Sequence, residues 1–118
     1  EKQCIEKLIE VHPEYAEFLE KINENIFDLM EIFSKQYYVD ARFMGSSSIK
    51  KVLPVLVPDL TYKSLNIQKG DQASERWEYM ISDRITEEEK EVIKNDLLMY
   101  CKLDTMAMVR IWEFLKKL

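Results

Sequence analysis

Apolar residues recur at helical spacing along most of this chain. Ile5, Leu8 and Ile9 share one face of a short helix over residues 1–11. His12-Pro13 interrupts it, because a proline restricts the residue before it, and Pro13 suits the first turn of the next helix. There Tyr15, Phe18, Leu19, Ile22, Ile26, Leu29, Met30 and Phe33 hold one phase, which predicts a helix running to about Phe33. Asp28 falls just off that stripe and is expected in solvent. Residues 34–45 lose the period. They contain β-favouring types without sustained alternation, so extended chain with at most a short strand is predicted. Gly45-Ser-Ser-Ser48 opens a helix through Ile49, Val52 and Leu53, which Pro54 and Pro58 end or kink. Residues 59–72 form a loop that turns Tyr62, Leu65 and Ile67 to the core. A turn at Lys69-Gly70-Asp71 precedes a helix over about residues 71–82, offering Ala73, Trp77, Met80 and Ile81 inward. Thr86 and Glu89 have the spacing of a capping box that starts the last helical region.

Residues 97–118 raise the first chemical question. Leu97, Tyr100, Cys101, Ala107, Met108, Ile111, Leu115 and Leu118 fill one stripe, and Asp104 lies on it. Tyr100 and Asp104, four apart, are neighbours on a helix surface. A carboxylate on an apolar stripe is costly unless it is paired or binds a cation. One reading makes Asp104-Thr105 the cap of a new helix after a break; the other gives the carboxylate a chemical role.

Composition narrows the class. Of 118 residues, 47% are hydrophobic and 33% charged, with only two glycines and three prolines, which predicts a mainly α chain. Residues 1–118 form one domain or part of one. The net charge of −5 argues against a protein that coats nucleic acid, and leaves room for an enzyme whose acidic residues hold metal ions. Cys4 and Cys101 lack metal-type spacing and are expected as free thiols of a cytoplasmic protein, with Cys101 buried on the last stripe. The lone His12 excludes histidine-based zinc sites and triads. No apolar run approaches the roughly 20 residues of a membrane span, so no membrane partner is expected.

Tyr100-Cys-Lys-Leu-Asp104, followed by a small-apolar helix, resembles the third motif of the tyrosine-subtype DnaQ-like 3′-5′ exonucleases. The runs from Phe43 to Asp59 and from Tyr62 to Ala73 resemble a bacterial domain of unknown function that is assigned by its motifs to the same ribonuclease H-like superfamily. The likeness extends from about Phe27 to the end. It implies that the chain is the helical C-terminal portion of an α/β nuclease fold whose sheet is largely missing. It implies Mg²⁺ or Mn²⁺ as cofactor, with Asp104 as a metal ligand and Tyr100 orienting the attacking water. Glu1 would be the last residue of the second motif and a further ligand. No Asp-x-Glu stands on a β-like run here, so the first motif would lie in an upstream N-terminal half of the domain.

Ser47, Lys50 and Lys51 sit at a predicted helix start, an arrangement that suits either phosphate binding or plain capping. Two functions therefore compete. The chain is the C-terminal fragment of a metal-dependent 3′-5′ exonuclease, inactive by itself, whose parent acts on nucleic acid. Alternatively it is a non-catalytic helical protein-interaction domain. A degenerate nuclease fold that binds nucleic acid without cutting it is a third reading. An exposed apolar surface on such a chain predicts a homo-oligomer.

Overall fold

A computed structural model describes residues 2–118. These residues form α1 (Lys2–Val11), α2 (Ala16–Asn25), α3 (Met30–Ser34), α4 (Ile49–Leu56), α5 (Gly70–Met80) and α6 (Glu87–Leu115), with short 3₁₀ turns at Pro13–Tyr15 and Ala41–Phe43. No strand occurs among the described residues. The chain is mainly α, and residues 34–45 hold turns and the 3₁₀ segment in place of the extended chain their composition suggested.

α1 and α2 form a hairpin around His12-Pro13. The single helix expected as far as Phe33 is broken. α2 ends at Asn25, where the side-chain amide donates to the Lys21 carbonyl at 2.6 Å and Ile26 turns extended. Asp28 then caps the restart, its Oδ1 accepting from the Met30 amide at 2.9 Å. Short polar side chains that bond nearby backbone compete with the helical ladder. The apolar phase survives across the break, so periodicity alone does not reveal it.

The main core gathers Phe33, Phe43, Val52, Leu53, Leu56, Val57, Tyr62, Ala107 and Ile111. Its aromatic members meet edge to face: Phe33 on Phe43 at 5.7 Å between centroids, and half-buried Tyr38 on Phe114 at 5.9 Å. Such pairs stabilise beyond their area. Asp40 fixes the approach to Phe43. Its carboxylate accepts from the Arg42 amide and guanidinium, which hold it well below the usual range, at about 2.

α6 is one continuous helix of 29 residues. Both bonds of its capping box form, from the Glu89 amide to Thr86 Oγ1 at 3.3 Å and from the Thr86 amide to Glu89 at 3.1 Å. Because no break occurs, Asp104 lies in mid-helix and caps nothing. α5 folds along α6. At its start Gly70 stands against the Tyr100 hydroxyl, where a Cβ would come to 3.7 Å.

Several inward assignments are overturned. Ala73 and Met80 turn in, but Trp77 and Ile81 are 54% and 60% exposed. Cys101, expected buried, is exposed. Met108 and Leu118 also reach solvent. The buried stripe of α6 is the narrower set Ile93, Ala107 and Ile111.

Candidate functional site

The site is built where the loop after α4 runs back along α6. Three side-chain pairs fasten them together. Arg110 donates to Asp59 at 3.2 Å, the Tyr62 hydroxyl donates to Asp104 Oδ1 at 2.7 Å, and the Asn66 amide donates to Asp96 at 2.9 Å. Loop numbers rise as helix numbers fall, so loop and helix are antiparallel. The outer pairs are exposed, and the middle one is part-buried. Asp104 is therefore paired by a phenol, which meets the cost of placing a carboxylate on an apolar stripe.

Tyr100 and Asp104 stand one helical turn apart, with the Tyr62 ring 6.1 Å from that of Tyr100. Burial pushes the Tyr62 phenol above the ordinary tyrosine range, and its bond to Asp104 and the nearby charge push it further. Burial also raises the Tyr100 phenol, with the Asp104 carboxylate as the next cause. Two neutral phenols beside one carboxylate make a hydrogen-bonding cluster with no strong base among the tyrosines at neutral pH.

Asp104 also lines a cavity of about 410 Å³ between α3, α4 and α6, together with Asp28, Ser47 and Ser48 over a floor including Phe33 and Val52. An adjoining recess of about 660 Å³ shares Phe27, Asp28 and Met108 with it and reaches Lys2 and Gln3 at the start of α1. The structure thus brings Asp104 and Ser47 to one cavity, while Tyr100, a turn from Asp104, stands beside Tyr62 and does not line it. It does not bring Lys50 and Lys51 there. Lys50 lines a different recess on the far side of α4, and Lys51 is exposed and lines neither. Glu1 lies outside the described residues. Asp28, off the stripe in sequence, is exposed as expected, yet it shares the Asp104 cavity.

Hard cations such as Mg²⁺ take about six oxygen ligands and are held through carboxylates. Among the described residues, no group of three or more His, Cys, Asp and Glu comes together to hold a metal ion. Asp28 is engaged as a cap and Asp104 by Tyr62. This donor set does not fit a two-ion centre by itself.

Residues 1–48 match the model of a domain of unknown function, DUF2779. The match lies at the N-terminal end, outside the Tyr100–Asp104 motif that carries the nuclease likeness. Over 111 residues the chain is 34% identical to a Mycoplasma pneumoniae protein named "Uncharacterized protein MG366 homolog", covering 86% of this chain and 17% of that protein. It is 31% identical to Ureaplasma parvum "Uncharacterized protein UU173", covering 83% of this chain and 16% of that protein. The chain is thus similar to bacterial proteins and spans about a sixth of their length. No solved structure matches it. Nothing in these likenesses links the chain to exonucleases.

The pairing role of Tyr62 escaped sequence reasoning, which placed it in the core but gave it no partner. Its partner is 42 positions away, and only the isolated carboxylate on an apolar stripe signalled that some donor had to meet it. Among the described residues no helix is long and apolar enough to cross a membrane.

Proposed function

We propose that this chain is a helical interaction module whose apolar outer face packs against further polypeptide of a longer protein. The observation that carries this reading is the surface left uncovered. The accessible area is 9269 Å², whereas a folded monomer of 14.1 kDa exposes about 6,700 Å². The excess, about 2,500 Å² on this chain alone, corresponds to about 5,000 Å² counted over both partners, the upper end of the range of permanent interfaces. The radius of gyration points the same way, at 17.3 Å against about 13.5 Å for a compact chain of this length.

The exposed apolar groups follow helical spacing. Leu8 and Val11 stand outward on α1, in line with exposed Cys4, while Ile5 and Ile9 are half-buried. On α2, Phe18 is 65% exposed and Ile22 follows it by four. Each helix of the hairpin thus leaves large apolar side chains exposed beside its half-buried ones. A lone hairpin would gain nothing from that exposed row. The relatives being about six times longer, most of a protein of that kind is available to cover it.

Thiol labelling tests this, because Cys4 lies in the outer line. Cys4 is expected to react at least about tenfold more slowly in the natural polypeptide that carries this sequence than in the isolated chain, as a buried thiol does relative to an exposed one. Equal reactivity in the two would defeat the proposal. Protection that grows with concentration of the isolated chain would assign the face to a second copy instead.

A second reading, the nuclease fragment, is favoured by one observation: Asp28 and Asp104 line a common cavity adjoining the start of α1. In this reading the parent protein supplies the remaining carboxylates, Mg²⁺ or Mn²⁺ is the cofactor, and nucleic acid is the substrate. Cleavage of single-stranded DNA or RNA by the natural polypeptide, lost in Asp104→Asn, would support it. No cleavage of either by folded wild type would remove it.

A further inference from the structure

The recess on the far side of α4 has a character of its own. Lys50 from α4, and Lys63 and Lys69 from the loop, line a space of about 190 Å³ that also touches Leu53, Leu60 and Thr61. Among the described residues no acidic one lines it. Yet the chain as a whole carries 22 acidic against 17 basic residues. Among the described residues none of the three lysines forms a salt bridge; Lys35, Lys90 and Lys94 are the lysines that do. All three border one largely apolar recess.

We propose that this recess binds a phosphate group through Lys50, Lys63 and Lys69. Three cationic side chains around one recess attract an anion, and low-dielectric walls such as Leu53 and Leu60 strengthen that attraction. Lysine is a compact point charge with three donors, suited to the several oxygens of a phosphate. Thr61 also lines the recess, its hydroxyl oxygen accepting from the Lys63 amide at 3.2 Å. The space holds several water volumes of about 30 Å³, enough for a phosphate and a little of what it is esterified to.

The loop is also built to keep its lysines in place. Tyr62, itself a wall of the recess, is tied to Asp104 on α6. Between Lys63 and Lys69, the Gln68 amide donates to the Lys63 and Leu65 carbonyls at 3.3 and 3.0 Å. The Gln68 backbone amide donates to the Gln72 side chain at 3.1 Å. Two of the three lysines are thus carried on a segment fastened at both ends. The site does not depend on the packing face or on the Asp28–Asp104 cavity, and it stands if either of those readings fails.

Calorimetric titration of the full chain at constant ionic strength tests it, with inorganic phosphate and phenyl phosphate as probes and acetate as control. Saturable one-to-one binding of phosphate is expected, with Kd on the order of 1 mM. Each of Lys50→Gln, Lys63→Gln and Lys69→Gln should weaken it about threefold, the scale of a solvent-screened ion pair. Lys51→Gln, on the same helix but outside the recess, should leave it unchanged. Tighter binding of phenyl phosphate supports the site with an ester as occupant, and equal binding supports it with free phosphate. No saturable binding up to about 20 mM phosphate, a limit weaker than any useful site, would overturn the proposal. So would equal binding of acetate, or a loss in Lys51→Gln as large as in Lys63→Gln. All four lysines are exposed, and circular dichroism of each variant confirms that its fold is retained.

Discussion

At the scale of single residues, the Tyr62–Asp104 bond is the contact whose loss is felt most. Tyr62→Phe leaves a half-buried carboxylate without its donor, and stranding such a group costs about 1–3 kcal/mol. Asp104→Asn keeps an acceptor for the phenol and should cost less. Urea unfolding of the two variants should therefore rank Tyr62→Phe as the less stable. The phenol also makes stability depend on alkaline pH. Its folded pKa lies above its unfolded value of about 10, so the stabilisation is complete below pH 10 and is lost as pH rises toward the folded value. Ultraviolet titration should show Tyr62 and Tyr100 ionising later than an ordinary tyrosine, and Tyr62→Phe should remove the later of the two. If every phenol of the wild type titrates near 10, the buried bond to Asp104 is not as drawn.

At the scale of elements, local signals and distant ones part company. The capping box of α6 needs only Thr86 and Glu89, three residues apart, and it forms as written in the sequence. Thr86→Ala should cost about 1 kcal/mol, the usual loss at an N-cap, with amide exchange quickening over residues 87–90 and not at Ile111. Uniform quickening along α6 would show that its first turn is no separate unit. The break before α3 was harder to see. Met30 and Phe33 keep the phase of α2, and the deciding bonds, from Asn25 to Lys21 and from Met30 to Asp28, are side-chain choices that an apolar pattern does not record. The loop after α4 lies further still from what a sequence shows. That Tyr62 and Ile67 turn inward was legible from their apolar character. That Asp59, Tyr62 and Asn66 find Arg110, Asp104 and Asp96 depends on chain reversal across 30–51 positions. The candidate site shares this limit. Tyr100 and Asp104 are neighbours by helical geometry alone, but Asp28 and Ser47 join Asp104 only through the packing of α3, α4 and α6.

At the scale of the whole molecule, the same arithmetic that explains the core explains what is left outside it. α1 and α2 contain no fully buried residue, so their hairpin contributes little burial and leaves Leu8, Val11, Phe18 and Ile22 in water. Trp77 and Ile81 were expected inside because an apolar residue at helical phase normally is; here they stay largely uncovered among the described residues. Exposed patches of this size drive association. The isolated chain should therefore self-associate as concentration rises, with a larger mass by light scattering at about 100 μM than at about 1 μM, as weak micromolar contacts require. Phe18→Glu with Ile22→Glu should return it to a monomer without loss of helix, because both side chains are exposed and neither supports the main core. Charging Trp77 instead addresses the exposed side of α5. If Trp77→Glu restores the monomer and the α2 variant does not, the sticky face is the outer side of α5, and the hairpin needs no partner. A monomer at every concentration in wild type would mean that the apolar residues are too scattered to form a face, and the interaction reading would lose its physical basis.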